Sequence, residues 1–173
     1  MSGPRGRRRQ RGQAMVEFAI SSLVLIMVFT GIMDIAFLFA GHVATHNAVR
    51  AAARYAAANP RAWSNTDPPA ANSIQNNLKV LAVPAIIHNT DAYVTIKYTV
   101  PGAGSGTVCG QYSAASNAFV PAAGTDWTDA TCIVPGHLVT VQATWIYNFM
   151  TPLLKGPFGS VTMFTEAAEL EET

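Results

Sequence analysis

The sequence predicts an α+β protein in which one long N-terminal helix packs on a small antiparallel β-sheet domain with a short second helix. Three observations predict it. Residues 18–41 form an apolar run broken by one charge, Asp34. No proline or turn cluster then appears until Asn59-Pro60, and the segment between is rich in alanine, a strong helix former. Farther on, two segments alternate apolar and polar residues with the period of a strand, and a third segment near the C-terminus reads as a strand beside them. Of the 173 residues, half are hydrophobic and 12% are charged. Average soluble proteins carry roughly 25% charged residues, so neither a disordered, highly charged chain nor a typical soluble enzyme fits.

The basic residues are unevenly placed. Arg5, Arg7, Arg8, Arg9 and Arg11 crowd residues 1–12, and beyond them six basic residues face ten acidic ones. A nucleic-acid-binding body needs a spread basic face, which this distribution does not supply. The arginines lie just before the apolar run. As a helix, residues 18–41 would extend about 36 Å, enough to cross a hydrocarbon core of about 30 Å with some tilt. A cleaved secretory signal fits poorly, because its apolar region is shorter and ends at a small-residue cut site. Basic residues are retained on the cytoplasmic side. The expected arrangement is a single pass through the cytoplasmic membrane, N-terminus inside and the C-terminal domain outside. Asp34 inside such a span is costly and marks a functional position by default; the alternatives are that it reaches the outer interface or is protonated.

At the junction of leader and span the chain reads Arg11-Gly12-Gln13-Ala14-Met15-Val16-Glu17-Phe18. This resembles the processing site of type IV prepilins: a basic leader, a glycine, then an apolar stretch with glutamate at its fifth position. Met15-Val16-Glu17-Phe18-Ala19, followed later by Asn47-Ala48-Val49-Arg50-Ala51-Ala52-Ala53-Arg54-Tyr55-Ala56, resembles TadE-like proteins, the pseudopilins or minor pilins of tight-adherence (Tad/Flp) pili. A β-rich C-terminal stretch interrupted by Pro152-Leu153-Leu154-Lys155-Gly156 is a third, weaker likeness. The resemblance implies cleavage by a prepilin peptidase between Gly12 and Gln13, leaving residues 1–12 as a leader. It also implies that Glu17 is an assembly residue, its carboxylate pairing with the freed amine of a neighbouring subunit, with Phe18 beside it. Ion pairing in low dielectric offsets two desolvation costs. The plain reading of Glu17 is a carboxylate at the positive end of a helix dipole. Phe18 stands where the major pilin of the family carries tyrosine, and the body is longer than such a pilin; both favour a minor component.

Residues 13–58 are expected to form one helix, spanning the membrane over 18–41 and continuing beyond it. Ala36, Ala40, Ala44, Ala48, Ala52 and Ala56 recur every fourth residue, a ridge that precesses around the axis and permits close approach of another element. His42 and His46 share a face at zinc-binding spacing, but with no HExxH pattern or evident third ligand no metal is expected. Arg50 and Arg54 read as solvated positions or partners of acidic residues.

Residues 59–173 are expected to form the outer domain. Residues 59–71 hold Pro60, Pro68 and Pro69 and read as a loop. Ile74, Leu78 and Leu81 or Ala82 predict a short helix over 72–83, ended by Pro84. Strands are predicted over Tyr93–Val100, Leu138–Tyr147 and from Ser160 to about Ala168. Residues 101–136, rich in Gly, Ser, Thr and Ala, read as a long loop. Cys109 and Cys132 both fall in it, and outside the membrane they should pair; two buried thiols are the alternative. Asp126 and Asp129 are better read as turn residues than as a calcium loop, and Trp63 and Trp127 as loop aromatics available for contact.

No catalytic constellation emerges: G-x-S-x-G, P-loop, H-E-x-x-H and dinucleotide-binding fingerprints are missing from the sequence. No enzymatic activity and no cofactor are expected. The resemblance implies a minor pilin or pseudopilin that joins a Tad-type pilus after cleavage. Its expected partners are the cytoplasmic membrane, other pilin subunits, the prepilin peptidase and the pilus assembly machinery, and its final place an extracellular pilus. The alternative is a permanently anchored extracytoplasmic binding module.

Overall fold

The computed structural model describes residues 6–102 and 106–171. The chain divides into two compact units, one of Met1–Phe37 with Asn148–Ser160, the other of Leu38–Tyr147 with Val161–Thr173.

A single helix, α1 (Gly6–Ala58), enters both units without interruption. It contains no proline, and alanine dominates its final turns. In the first unit α1 is joined by a short helix, α4 (Pro152–Phe158), which interrupts the β-rich C-terminal stretch. Proline at the first helical position suits α4, since that amide has no partner within a helix. The arginine side chains of the leader lie outside the described residues.

The second unit is built on a five-stranded antiparallel sheet of order β3-β2-β1-β4-β5, comprising β1 (Val94–Val100), β2 (Thr107–Ser113), β3 (Ala118–Pro121), β4 (Leu138–Asn148) and β5 (Ser160–Leu170). Strand β1 is central, with Ile96 opposite Tyr112 of β2 and Val141 of β4. The alternation read from the sequence is the alternation in space: Val139, Val141, Ala143 and Trp145 of β4 are buried, and the residues between them are half-buried.

The C-terminal part of α1 buries Gly41, Thr45, Ala48, Val49, Ala52, Ala53, Ala56 and Ala57, a stripe at three- and four-residue spacing that belongs to the same core as the sheet. The alanine ridge follows its own geometry. A four-residue repeat advances about 40° beyond a full turn each time, at 3.6 residues per turn. Ala48, Ala52 and Ala56 therefore fall on the buried face, while Ala36 and Ala40 are exposed. Helix α2 (Ile74–Leu81) is capped by Ser73, whose Oγ accepts the Asn76 amide at 3.1 Å. Ile74, Leu78 and Ala82 are buried, and Leu81 is left exposed.

One expectation is corrected. Residues 101–136 are not a bare loop: they hold β2, β3 and a one-turn helix, α3 (Asp129–Cys132). The strand pattern of β2 is hidden because its inward positions are filled by Cys109, Gly110 and Tyr112 rather than by a regular apolar series. Gly110 is there for space, since a Cβ would come within 2.1 Å of the Phe119 ring and 2.7 Å of the Val120 carbonyl oxygen. Cys109 and Cys132 are joined by a disulfide with their Cα atoms 5.8 Å apart, fastening β2 to α3.

Candidate functional site

The site is built on α1. From Met15 to Phe29 its apolar side chains are exposed on every face, among them Phe18, at 75%, and Leu25, at 69%, whereas from Thr30 on one face, that of Gly31, Asp34 and Leu38, is covered. A soluble surface helix shows one apolar stripe; a helix apolar all round is made for lipid or for other helices. Among the described residues, one helix is long and apolar enough to cross a membrane, Gly12–Ala58, with a mean hydropathy of 2.5 in its most apolar window. At its start, Gln13 Nε2 donates to Glu17 Oε1 at 3.1 Å, one turn apart, and Glu17 and Phe18 are otherwise exposed. Gly12 lies in unbroken helix, and a Cβ there would meet nothing within 4 Å.

Asp34 is the second feature. It is buried although it lies in the apolar run. Its Oδ1 accepts the Met150 amide at 3.2 Å, and its Oδ2 accepts the Thr151 amide at 2.9 Å and the Thr151 hydroxyl at 2.5 Å. Thr151 is also the N-cap residue of α4. One carboxylate thus ties the connection between β4 and β5 to the apolar helix, with both oxygens engaged. Sequence reasoning singled out Asp34 but not its partners, more than a hundred residues away. The signals that the sequence offered were a carboxylate within an apolar run and a proline-started turn far along the chain.

Residues 12–54 match the protein family TadE-like protein. The N-terminal segment is therefore TadE-like. The match begins at Gly12 and ends at Arg54, so it takes in Gln13, Glu17, Phe18 and Asp34 and stops short of the sheet. No curated protein and no solved structure matches the chain.

The remaining candidate residues are distributed over the sheet unit. His42 and His46 do not gather further ligands; among the described residues no group of three His, Cys, Asp or Glu side chains could hold a metal ion. Asp129 pairs with Arg61 at 3.6 Å and accepts the Ala130 amide at 2.8 Å, as a turn residue does. Arg54 pairs with Glu169 at 3.5 Å on the surface. Trp63 and Trp127 are half-buried rather than free loop aromatics: Trp63 stacks on Tyr112 at 5.1 Å, and its indole donates to the Tyr98 hydroxyl at 2.8 Å. That hydroxyl donates in turn to the Pro60 carbonyl, and burial raises the pKa of Tyr98.

Glu171 was not anticipated. Its side chain is buried, and neither carboxylate oxygen has a hydrogen-bond partner among the described residues. Desolvation pushes its pKa up to about 7, against the opposing attraction of His137 and Arg61. Its backbone pairs with the start of β4, the amide donating to His137 O at 2.8 Å and the carbonyl accepting from Gly136 N at 3.1 Å.

Proposed function

We propose that this protein is a minor pilin or pseudopilin of a Tad-type pilus, made as a precursor and cut between Gly12 and Gln13. The observation that carries this reading is a TadE-like segment, beginning at that glycine, folded as a continuous helix whose apolar surface is bare on every side from Met15 to Phe29. Such a surface suits two successive environments, lipid before assembly and the helices of neighbouring subunits after it. The orientation that fits is N-terminus in the cytoplasm and sheet unit outside, with the disulfide in the oxidising compartment. Glycine at the cut costs the helix about 1 kcal/mol relative to alanine, which favours local unwinding into a protease cleft. Cleavage would release the amine of Gln13, one turn from Glu17, leaving that carboxylate for a neighbour's amine. The role is one of assembly rather than catalysis, as the family implies, and the partners are other pilins, the prepilin peptidase and the assembly machinery.

The test is the mass of the N-terminal peptide of the protein isolated from its native membrane. A chain starting at Gln13 is expected, and Gly12→Val should abolish the cut. An intact N-terminus in cells containing the peptidase would instead make the protein a permanent anchor for the sheet unit.

A further inference from the structure

The connection between β4 and β5 carries apolar side chains that the protein leaves uncovered. Met150 is 71% exposed and Phe158 is 62% exposed, with Lys155 exposed between them. The same connection is fixed to Asp34 through Met150 and Thr151. Asp34 lies seven residues before Gly41, the end of the apolar run, which is about 10 Å along the helix axis. The residues flanking it, Met33 and Ile35, are exposed apolar side chains of the span. Whatever covers Met33 and Ile35 is at the depth of Met150.

We propose that the β4–β5 connection is a second membrane contact, seated in the upper acyl layer of the outer leaflet, with Asp34 as its internal acceptor. The proposal rests on the reading that α1 crosses the bilayer. Non-helical backbone is tolerated at membrane depth only where the protein satisfies its polar groups. Asp34 does this for the two amides that precede α4 and for the Thr151 hydroxyl. Thr151 O accepts the Leu154 and Lys155 amides at 3.2 and 2.9 Å, and Pro152 and Pro157 bring no amide at all. The segment thus enters with few free donors. Phe158 and Met150 supply the apolar contact, and the Lys155 stem is long enough to carry its ammonium out to lipid phosphate. A carboxylate inside an apolar span, costly without a partner, is accounted for by the same arrangement.

The test uses the full chain, one copy per lipid nanodisc, with the Cys109–Cys132 disulfide intact. Phe158→Cys and, separately, Met150→Cys carry an NBD fluorophore, which aqueous dithionite bleaches. Ile26→Cys reports the span and Ser116→Cys reports water, both of these residues being exposed on the protein. Bleaching at 150 and 158 is expected to be several-fold slower than at 116, with quenching by lipids bearing a nitroxide near the top of the acyl chain. Bleaching at 150 and 158 as fast as at 116, with position 26 protected, overturns the proposal while the span stands. Fast bleaching at position 26 overturns the span and the proposal together. Protection at 150 and 158 that needs two copies per disc assigns the surface to a neighbouring subunit and also overturns it.

Discussion

Among the described residues Asp34 accepts three hydrogen bonds through one side chain, so its removal should be graded by what is left behind. Asp34→Ala leaves the Met150 and Thr151 amides and the Thr151 hydroxyl without an acceptor. Bonds to a charged group contribute about 1.5–3 kcal/mol each, but the freed groups recover part of that from water or lipid headgroups, so a local loss of about 3 kcal/mol is expected. Thr151→Val removes the hydroxyl bond alone and should cost about 1 kcal/mol. Hydrogen exchange at the 150 and 151 amides reads both, and unchanged protection in Asp34→Ala would show that the carboxylate does not hold the connection. Glu171 makes a prediction of opposite character. Its pKa of about 7 lies above the ordinary 4.5, so the folded state binds its proton more tightly than the unfolded chain. The stability linked to that proton is fully present below pH 4.5 and is lost as pH rises through about 7. Glu171→Gln should therefore remove on the order of 2 kcal/mol of pH dependence between pH 5 and 8, and be the more stable form at pH 8. Denaturant melts at the two pH values check it; parallel slopes for both proteins would place the titration elsewhere.

At the scale of elements, α1 meets the sheet where Gly41 faces Trp145. A Cβ on Gly41 would come within 2.6 Å of Trp145 Cη2, and Trp145 is itself buried, so the indole has no room to yield. Alanine would gain about 1 kcal/mol of helix propensity over glycine, but overpacking a core costs typically 1–3 kcal/mol. Gly41→Ala should thus lower the melting temperature of the sheet unit, read from its near-ultraviolet tryptophan signal. Gly31→Ala is the control, since a Cβ there meets nothing within 4 Å and should leave that signal unchanged. Which elements were legible follows from the same physics. Helix α1 declares itself by its apolar run and its alanine content, and α2, β1 and β4 by periodicity, because each of those three buries a regular face. Strand β2 does not, since Gly110 and a disulfide cysteine occupy its inward positions, and β3 is four residues long and ends in proline. Asp34 was visible as a costly charge; that Met150 and Thr151 pay for it was not, because a hydrogen bond across the length of the chain leaves no periodic trace.

For the molecule as a whole, the two compact units separate two kinds of requirement. Glu17 lies in the unit of Met1–Phe37 and hydrogen-bonds to Gln13, whereas the core with its disulfide lies in the other. Substitutions with no shared partners usually combine independently, so a change at Glu17 should not reach the sheet. Under the assembly reading, Glu17→Ala removes the carboxylate that meets a neighbour's amine while leaving the apolar helix able to enter the membrane. It should therefore be inserted, cut and folded, with an unchanged melting temperature for the sheet unit, yet fail to enter pili. Gly12→Val should fail earlier, remaining at its precursor mass with the sheet unit equally stable. Fractionating cells into membrane and sheared pili, with intact-mass measurement on each fraction, separates the two failures. Normal recovery of Glu17→Ala in the pilus fraction would remove the carboxylate from the mechanism and leave packing of the exposed apolar surface to hold the helix among its neighbours.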